Sequence, residues 1–193
     1  LGYAADLARK AGAFLVVAFW LAAAPAHAAC ADPSTIHADR GAMAFTQTRH
    51  LAGTRAPLVS RGRVDIAPQQ VNWHVTDPLD VLTTITPNGI TQSIENGAPQ
   101  HVAPQGAGDA FLSSAGLFDM LAGNFSALGA HYVVTRRPAS ADGAWHLRLT
   151  PRAAQLARFL SYIDVTGCDR VSGVEVREAN GDWMEIALEP ASG

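Results

Sequence analysis

From about residue 42 onward the chain alternates apolar and polar positions in short runs, broken by Pro, Gly and Asn. Met43, Phe45, Gln47 and Arg49 interleave with Ala44, Thr46 and Thr48, the period of a half-buried strand. Gly53 to Pro57 reads as a turn, and Leu58 to Ile66 as a second strand with Val64 and Ile66 on one face and Arg61, Arg63 and Asp65 on the other. After Pro68, Val71, Trp73 and Val75 alternate with Asn72, His74 and Thr76, and after Pro78, Val81, Thr83 and Ile85 form a fourth run. Pro87-Asn88-Gly89 is a turn signal that predicts a hairpin onto Ile90 to Ile94.

The texture then changes. Asn96 to Asp109 is rich in Gly, Pro and Gln and reads as a loop. Ala110 to Ala122 carries Phe111, Leu117, Phe118 and Leu121 at helical spacing, ended by Gly123-Asn124. A second short helix is expected over Phe125 to Ala130, and one or two helical turns over Ala153 to Phe159. Further strands are predicted at Tyr132 to Arg137, Trp145 to Thr150, Ser161 to Thr166, Val171 to Arg177 and Trp183 to Leu188, the last two joined at Asn180-Gly181. About nine or ten strands with hairpin-length turns make an antiparallel sheet, and the late helices make the class α+β. Strands twist, so such a meander is expected to curl into a barrel or half-barrel. The helix at 110–122 then either covers the concave side as a lid or packs there as an ordinary core helix.

The N-terminus has its own pattern. Arg9 and Lys10 precede an uncharged run, Ala11 to Ala24, and then Pro25-Ala26-His27-Ala28. Positive, apolar and small segments in that order predict a secretory signal peptide over 1–28. The run of 14 residues is shorter than the roughly 20 a bilayer span needs; an uncleaved anchor is the alternative. Residues 29–193 then form one domain of 165 residues, long enough for a substantial core. Of the 14 Lys and Arg, two lie in the leader, and of the 17 Asp and Glu, one, leaving 12 cations against 16 anions, net −4. An acidic domain without a basic stripe argues against nucleic acid as a partner. Export to an oxidising compartment permits a disulfide between Cys30 and Cys168. A lipidated Cys30 and two free thiols are the rival readings, and His27 stands where a lipobox usually has an aliphatic residue.

No catalytic constellation stands out: there is no G-x-S-x-G elbow and no S-x-x-K. The seven histidines form neither H-x-H nor H-E-x-x-H, and no cysteine pair has zinc spacing, so no metal or other cofactor is expected. His74 with Asp77 or Asp80 is the nearest approach to an acid–base pair, a common arrangement beside a strand. The chain reads as a non-enzyme.

Several short motifs run in a familiar order. Phe45-Thr46-Gln47, Gly62, Pro68-Gln69-Gln70-Val71-Asn72-Trp73-His74, Pro78 and Asn88-Gly89 are followed by Trp145-His146-Leu147-Arg148-Leu149-Thr150-Pro151 and the hairpin Val171 to Leu188. Over about residues 42–188 the chain resembles the LolA family of lipoprotein carriers, as a divergent branch. The resemblance implies a strongly curved antiparallel half-barrel (LolA/LolB-like) with helices covering the concave face. It also implies a monomeric periplasmic carrier that takes acylated lipoprotein, or a related lipid, from an inner-membrane exporter and hands it to an outer-membrane receptor. Where the carriers often have arginine before the first proline, this chain has Ala67.

A carrier of this kind needs an apolar cavity, because each buried methylene is worth about 0.8 kcal/mol. The expected lining is Phe45, Val64, Ile66, Val71, Trp73, Val75, Val81, Ile85 and Ile90 from the sheet, with Phe111, Leu117, Phe118 and Leu121 from the helix. Alternation places residues on one face but does not distinguish an open cavity from a filled core. The competing functions are a non-catalytic scaffold or accessory module of an envelope export complex for glycolipid or pigment-lipid, and an exported hydrolase with an unrecognised site.

Overall fold

In a computed structural model the described residues are 30–36, 41–86, 88–102, 119–120 and 124–191. The leader expected over 1–28 and nearly all of the helix expected over 110–122 lie outside them.

Eleven strands pair into one antiparallel sheet: β1 (Ala42–His50), β2 (Leu58–Ala67), β3 (Gln70–Asp77), β4 (Val81–Thr86), β5 (Gly89–Ile94), β6 (Gln100–His101), β7 (Tyr132–Arg137), β8 (Trp145–Pro151), β9 (Leu160–Gly167), β10 (Val171–Glu178) and β11 (Trp183–Pro190). Their order is β6-β5-β4-β3-β2-β1-β11-β10-β9-β8-β7, so the chain starts mid-sheet, winds out to one edge, crosses to the other and returns. The sheet does not close, since β6 and β7 stand at its two ends. The described helices are short: a 3-10 turn (Pro33–Thr35), α1 (Phe125–Leu128) and α2 (Ala154–Ala157).

The alternation in the sequence becomes a two-faced sheet because residues opposite each other across an antiparallel pair share a face. On one wing Met43 lies opposite Val64 and Val64 opposite Trp73, while Ile66, Val71, Ile85 and Ile90 make a second row. On the other wing Ile186, Val174, Val165 and Leu147 make a continuous row, and Met184, Val176, Ile163 and Leu149 another. All of these side chains are buried. Each fully buried Val, Leu or Ile contributes roughly 1.5–3 kcal/mol of transfer free energy. The opposite, outer face is polar and carries Arg61–Asp77, Arg63–Asp65, Arg148–Asp164 and Arg177–Glu175 pairs. The exposed Arg61–Asp77 and Arg63–Asp65 pairs each add little to stability, so the inner face carries the fold.

β6 is a strand the sequence pattern did not mark. Two residues in a Gly- and Pro-rich stretch carry no alternation, and their placement comes from pairing with Thr91 and Gln92 and from the Val102 N–H donating to the Ile90 carbonyl at 3.0 Å. The Asn180-Gly181 turn was legible for a reason the backbone shows: Gly181 has φ +94°, a left-handed conformation glycine adopts without strain.

Candidate functional site

The sheet residues expected to line a cavity fall on one face. Phe45, Val64, Ile66, Val71, Trp73, Ile85 and Ile90 are buried there, and Val75 and Val81 sit opposite each other, half-buried, in the row that ends at the exposed Ile94. Phe45 stacks on Trp73 with ring centroids 4.1 Å apart, so the centre of this wing is packed side chain against side chain. Phe111, Leu117, Phe118 and Leu121 lie outside the described residues, although Met120, from the same predicted helix, is fully buried.

A hollow of about 510 Å³ lies on the other wing, within the usual range for small-molecule pockets. Its floor is the inner face of β7 and β8, where Val134 and Leu147 point inward and Arg136 stands directly opposite Leu147 in the register. One wall is Phe125 of α1, whose ring meets the buried Trp145 edge-on at 5.7 Å. The other wall is the segment 32–36, in which Pro33 and Ile36 are buried. Polar groups of Asp32, Ser34, Asn124 and Ser126 complete its lining.

The segment is held at two points. Cys30 is bonded to Cys168, in the turn between β9 and β10, 138 positions away, which establishes the bridged reading of the two cysteines. The Trp145 indole N–H donates to the Cys168 carbonyl at 2.7 Å and fixes that turn to β8. Asp32 accepts from the Ser34 N–H at 2.9 Å and the Ser34 hydroxyl at 2.6 Å, and from Arg136 Nη1 at 3.0 Å. The Ser34 hydroxyl and N–H, with the Arg136 guanidinium, hold the Asp32 carboxyl down at about 2. The carboxylate is therefore ionised across the ordinary pH range, and the segment is tied to edge strand β7.

Elsewhere several charged side chains have structural partners. His74 Nε2 lies 3.1 Å from Asp80 Oδ2, while Asp77 pairs with Arg61 at 3.0 Å, which separates the two carboxylates weighed as partners of His74. Arg49 Nη2 meets the buried Glu178 at 3.1 Å at one end of the inner face. Among the described residues no group of three or more His, Cys, Asp or Glu could hold a metal ion, and no helix is long and apolar enough to cross a membrane.

Ile36, Phe125, Val134 and Leu147 were not singled out from sequence. Leu147 and Val134 were within reach, since β7 and β8 were both expected and alternation assigns their faces. Ile36 was not, because the disulfide and the Asp32–Arg136 pair bring segment 30–36 to that wing, and Phe125 was not, because a helix of four residues shows no periodicity that marks its inner face.

No family model matches the chain, and no curated protein matches it. Similar solved structures include a LolA superfamily protein from Nitrosomonas europaea, 10% identical, covering 83% of this chain and 91% of that one at a TM-score of 0.45. An outer membrane lipoprotein-sorting protein domain from Vibrio parahaemolyticus, so described provisionally, is 10% identical over 77% and 83% of the two chains at 0.41. A DUF1329 family protein from Desulfovibrio piger is 8% identical over 78% and 85% at 0.41. Structural neighbours of this chain thus include proteins of the family its motifs resemble. At these identities and scores the likeness carries no residue-level inference.

Proposed function

We propose that this protein is a non-catalytic carrier that binds the acyl chains of a lipoprotein or related lipid and moves it across the periplasm toward the outer membrane. The observation that carries the reading is the hollow of about 510 Å³ on the apolar face of the sheet, walled by Phe125, Val134, Leu147 and Ile36. Hydrocarbon cannot cross water exposed, and a cavity lined this way offers burial without any reaction. On this reading residues 1–28 are a cleaved leader, and 29–193 bend into a half-barrel whose concave side the segment 110–122 helps to cover. The inner-face residues from Phe45 to Ile90, with Phe111, Leu117, Phe118 and Leu121, extend the binding surface. The Cys30–Cys168 bridge suits an oxidising compartment. Donor and acceptor are an inner-membrane exporter and an outer-membrane receptor, and the carrier works as a monomer.

The experiment is titration of the disulfide-bonded protein with a fluorescent fatty acid. Saturable binding, displaced by unlabelled lipid, is expected; a folded sample showing none would remove the reading. One observation favours the alternative of a scaffold module in an export complex. Edge strand β7 leaves Val133 and Val134 44% and 37% exposed, and carries no proline or bulge to protect it from a partner strand. That alternative predicts no lipid binding and co-purification with a membrane exporter.

A further inference from the structure

Strand β7 puts one charged side chain, Arg136, into the lining of the hollow. Arg136 Nη1 meets Asp32 Oδ2 at 3.0 Å, and the remaining guanidinium N–H groups have no partner among the described residues. Its side chain is 61% exposed, so it can turn without breaking packing. Asp32 does not depend on it, because the Ser34 hydroxyl and N–H still donate to the same carboxylate. Ser126 and Asn124 add polar groups to the same lining, and Arg137 follows in the strand. Below them Leu147 and Val134 offer hydrocarbon surface.

Resting on the carrier reading, we infer that this hollow is an amphiphile site, in which the apolar floor takes a single acyl chain and Arg136 binds an anionic head group at the mouth. A carboxylate or phosphate can take two parallel N–H bonds from one guanidinium, a geometry an ammonium or a hydroxyl head group cannot use. Asp32 acts as the internal anion that holds Arg136 when the site is empty. Binding exchanges one anion for another, and the segment 32–36 gives up its Asp32–Arg136 tie to β7 in the same step, while the Cys30–Cys168 bridge still anchors it. An anionic cargo therefore loosens the wall that encloses it, which gives entry and exit through the same mouth.

The test compares palmitate, 1-palmitoyl lysophosphatidylglycerol, hexadecanol and hexadecyltrimethylammonium by calorimetric titration of the full disulfide-bonded chain, below each ligand's micelle concentration. Palmitate and the lysophospholipid are expected to bind at least about tenfold more tightly than hexadecanol and the cationic amphiphile. The stronger of the first two identifies the carboxylate or the phosphate as the preferred head group. Arg136→Met, which keeps the apolar stem, is expected to lose about tenfold more for both anionic ligands than for hexadecanol, with Arg136→Lys recovering part of the loss. Asp32→Asn, which keeps the Ser34 hydrogen bonds, is expected to move the other way and tighten anionic binding. Hexadecanol binding as well as palmitate, with Arg136→Met and Asp32→Asn both silent, would overturn the head-group site and leave the carrier standing. No binding of any of the four ligands to a protein with an intact circular dichroism spectrum would overturn both.

Discussion

Phe45 reaches across β2 to stack on Trp73, their ring centroids 4.1 Å apart, and it does so over a residue without a side chain, Gly62. Gly62 is the β2 partner of Phe45 in the register, and a Cβ placed there would lie 2.9 Å from the Phe45 ring and 2.0 Å from the His74 carbonyl oxygen. Gly62 also sits at the irregularity where the β2–β3 register shifts between Arg61 and Gly62. The glycine is there for close approach, and it lets one aromatic pair bind three strands together.

Gly62→Ala should therefore destabilise the protein by about 2–3 kcal/mol through overpacking against atoms that cannot retreat. Urea unfolding followed by tryptophan fluorescence measures it. A loss below about 0.5 kcal/mol would mean that β2 and β3 can separate freely at this point.

The Cys30–Cys168 bridge closes 138 positions of sequence and seats the segment that walls the hollow. Replacing both cysteines by serine should lower stability by about 3–5 kcal/mol in the chain-entropy account of such a loop. The same variant should bind a lipid probe more weakly, because Ile36 and Pro33 lose their anchor. Guanidinium unfolding and probe titration, each with and without reductant, check both halves. Reduction that weakened unfolding resistance but left probe affinity intact would show that the segment stays seated through Asp32 and Arg136 alone.

The sheet was legible because its chemistry is periodic. Val71, Trp73 and Val75, or Trp145, Leu147 and Leu149, declare a strand and its inner face without reference to anything distant. What escaped was whatever depends on a partner far along the chain. β6 exists only because Thr91 and Gln92 offer it an edge. The hollow exists because residues 30–36 are carried to β7 and β8 by one disulfide and one ion pair. Sequence pointed to the Phe45–Trp73 wing since its aromatic and aliphatic residues alternate most plainly, and alternation reports burial rather than vacancy.

On the outer face Arg148 grips both carboxylate oxygens of Asp164, at 2.7 and 2.6 Å, with His146 Nε2 3.3 Å away. Burial pushes the Asp164 carboxyl upward, and the Arg148 and His146 contacts outweigh it, leaving it below its ordinary value. A carboxyl depressed in the folded state stabilises fully above its unfolded pKa of roughly 3.9, and the contribution drains away as pH falls through the folded value. The stability difference between wild type and Asp164→Asn should thus shrink as pH falls from about 4 toward pH 2. Thermal melts across that range decide it. A difference that grew on acidification would reverse the sign and show that Arg148 does not hold the ionised form.

The most direct discrimination between the two wings uses the protein's own tryptophans. Trp145 is 2% exposed and touches Phe125, a wall of the hollow, whereas Trp73 lies under the Phe45 ring on the far wing and Trp183 is stacked between His50 and Arg177. A fatty acid brominated along its chain quenches only an indole it contacts. If the hollow beside α1 takes the chain, quenching should persist in Trp73→Phe and in Trp183→Phe and be largely lost in Trp145→Phe, with the affinity of each variant measured in parallel. If the chain lies along the Phe45–Ile90 wing instead, Trp73→Phe should remove it. Leu147→Asp provides the complement: a carboxylate on the floor of the hollow should reduce uptake by well over tenfold, because burying that charge beside an acyl chain costs several kcal/mol. Quenching equal in all three tryptophan variants would place the lipid outside the inner face, and would leave the hollow without a role in carriage.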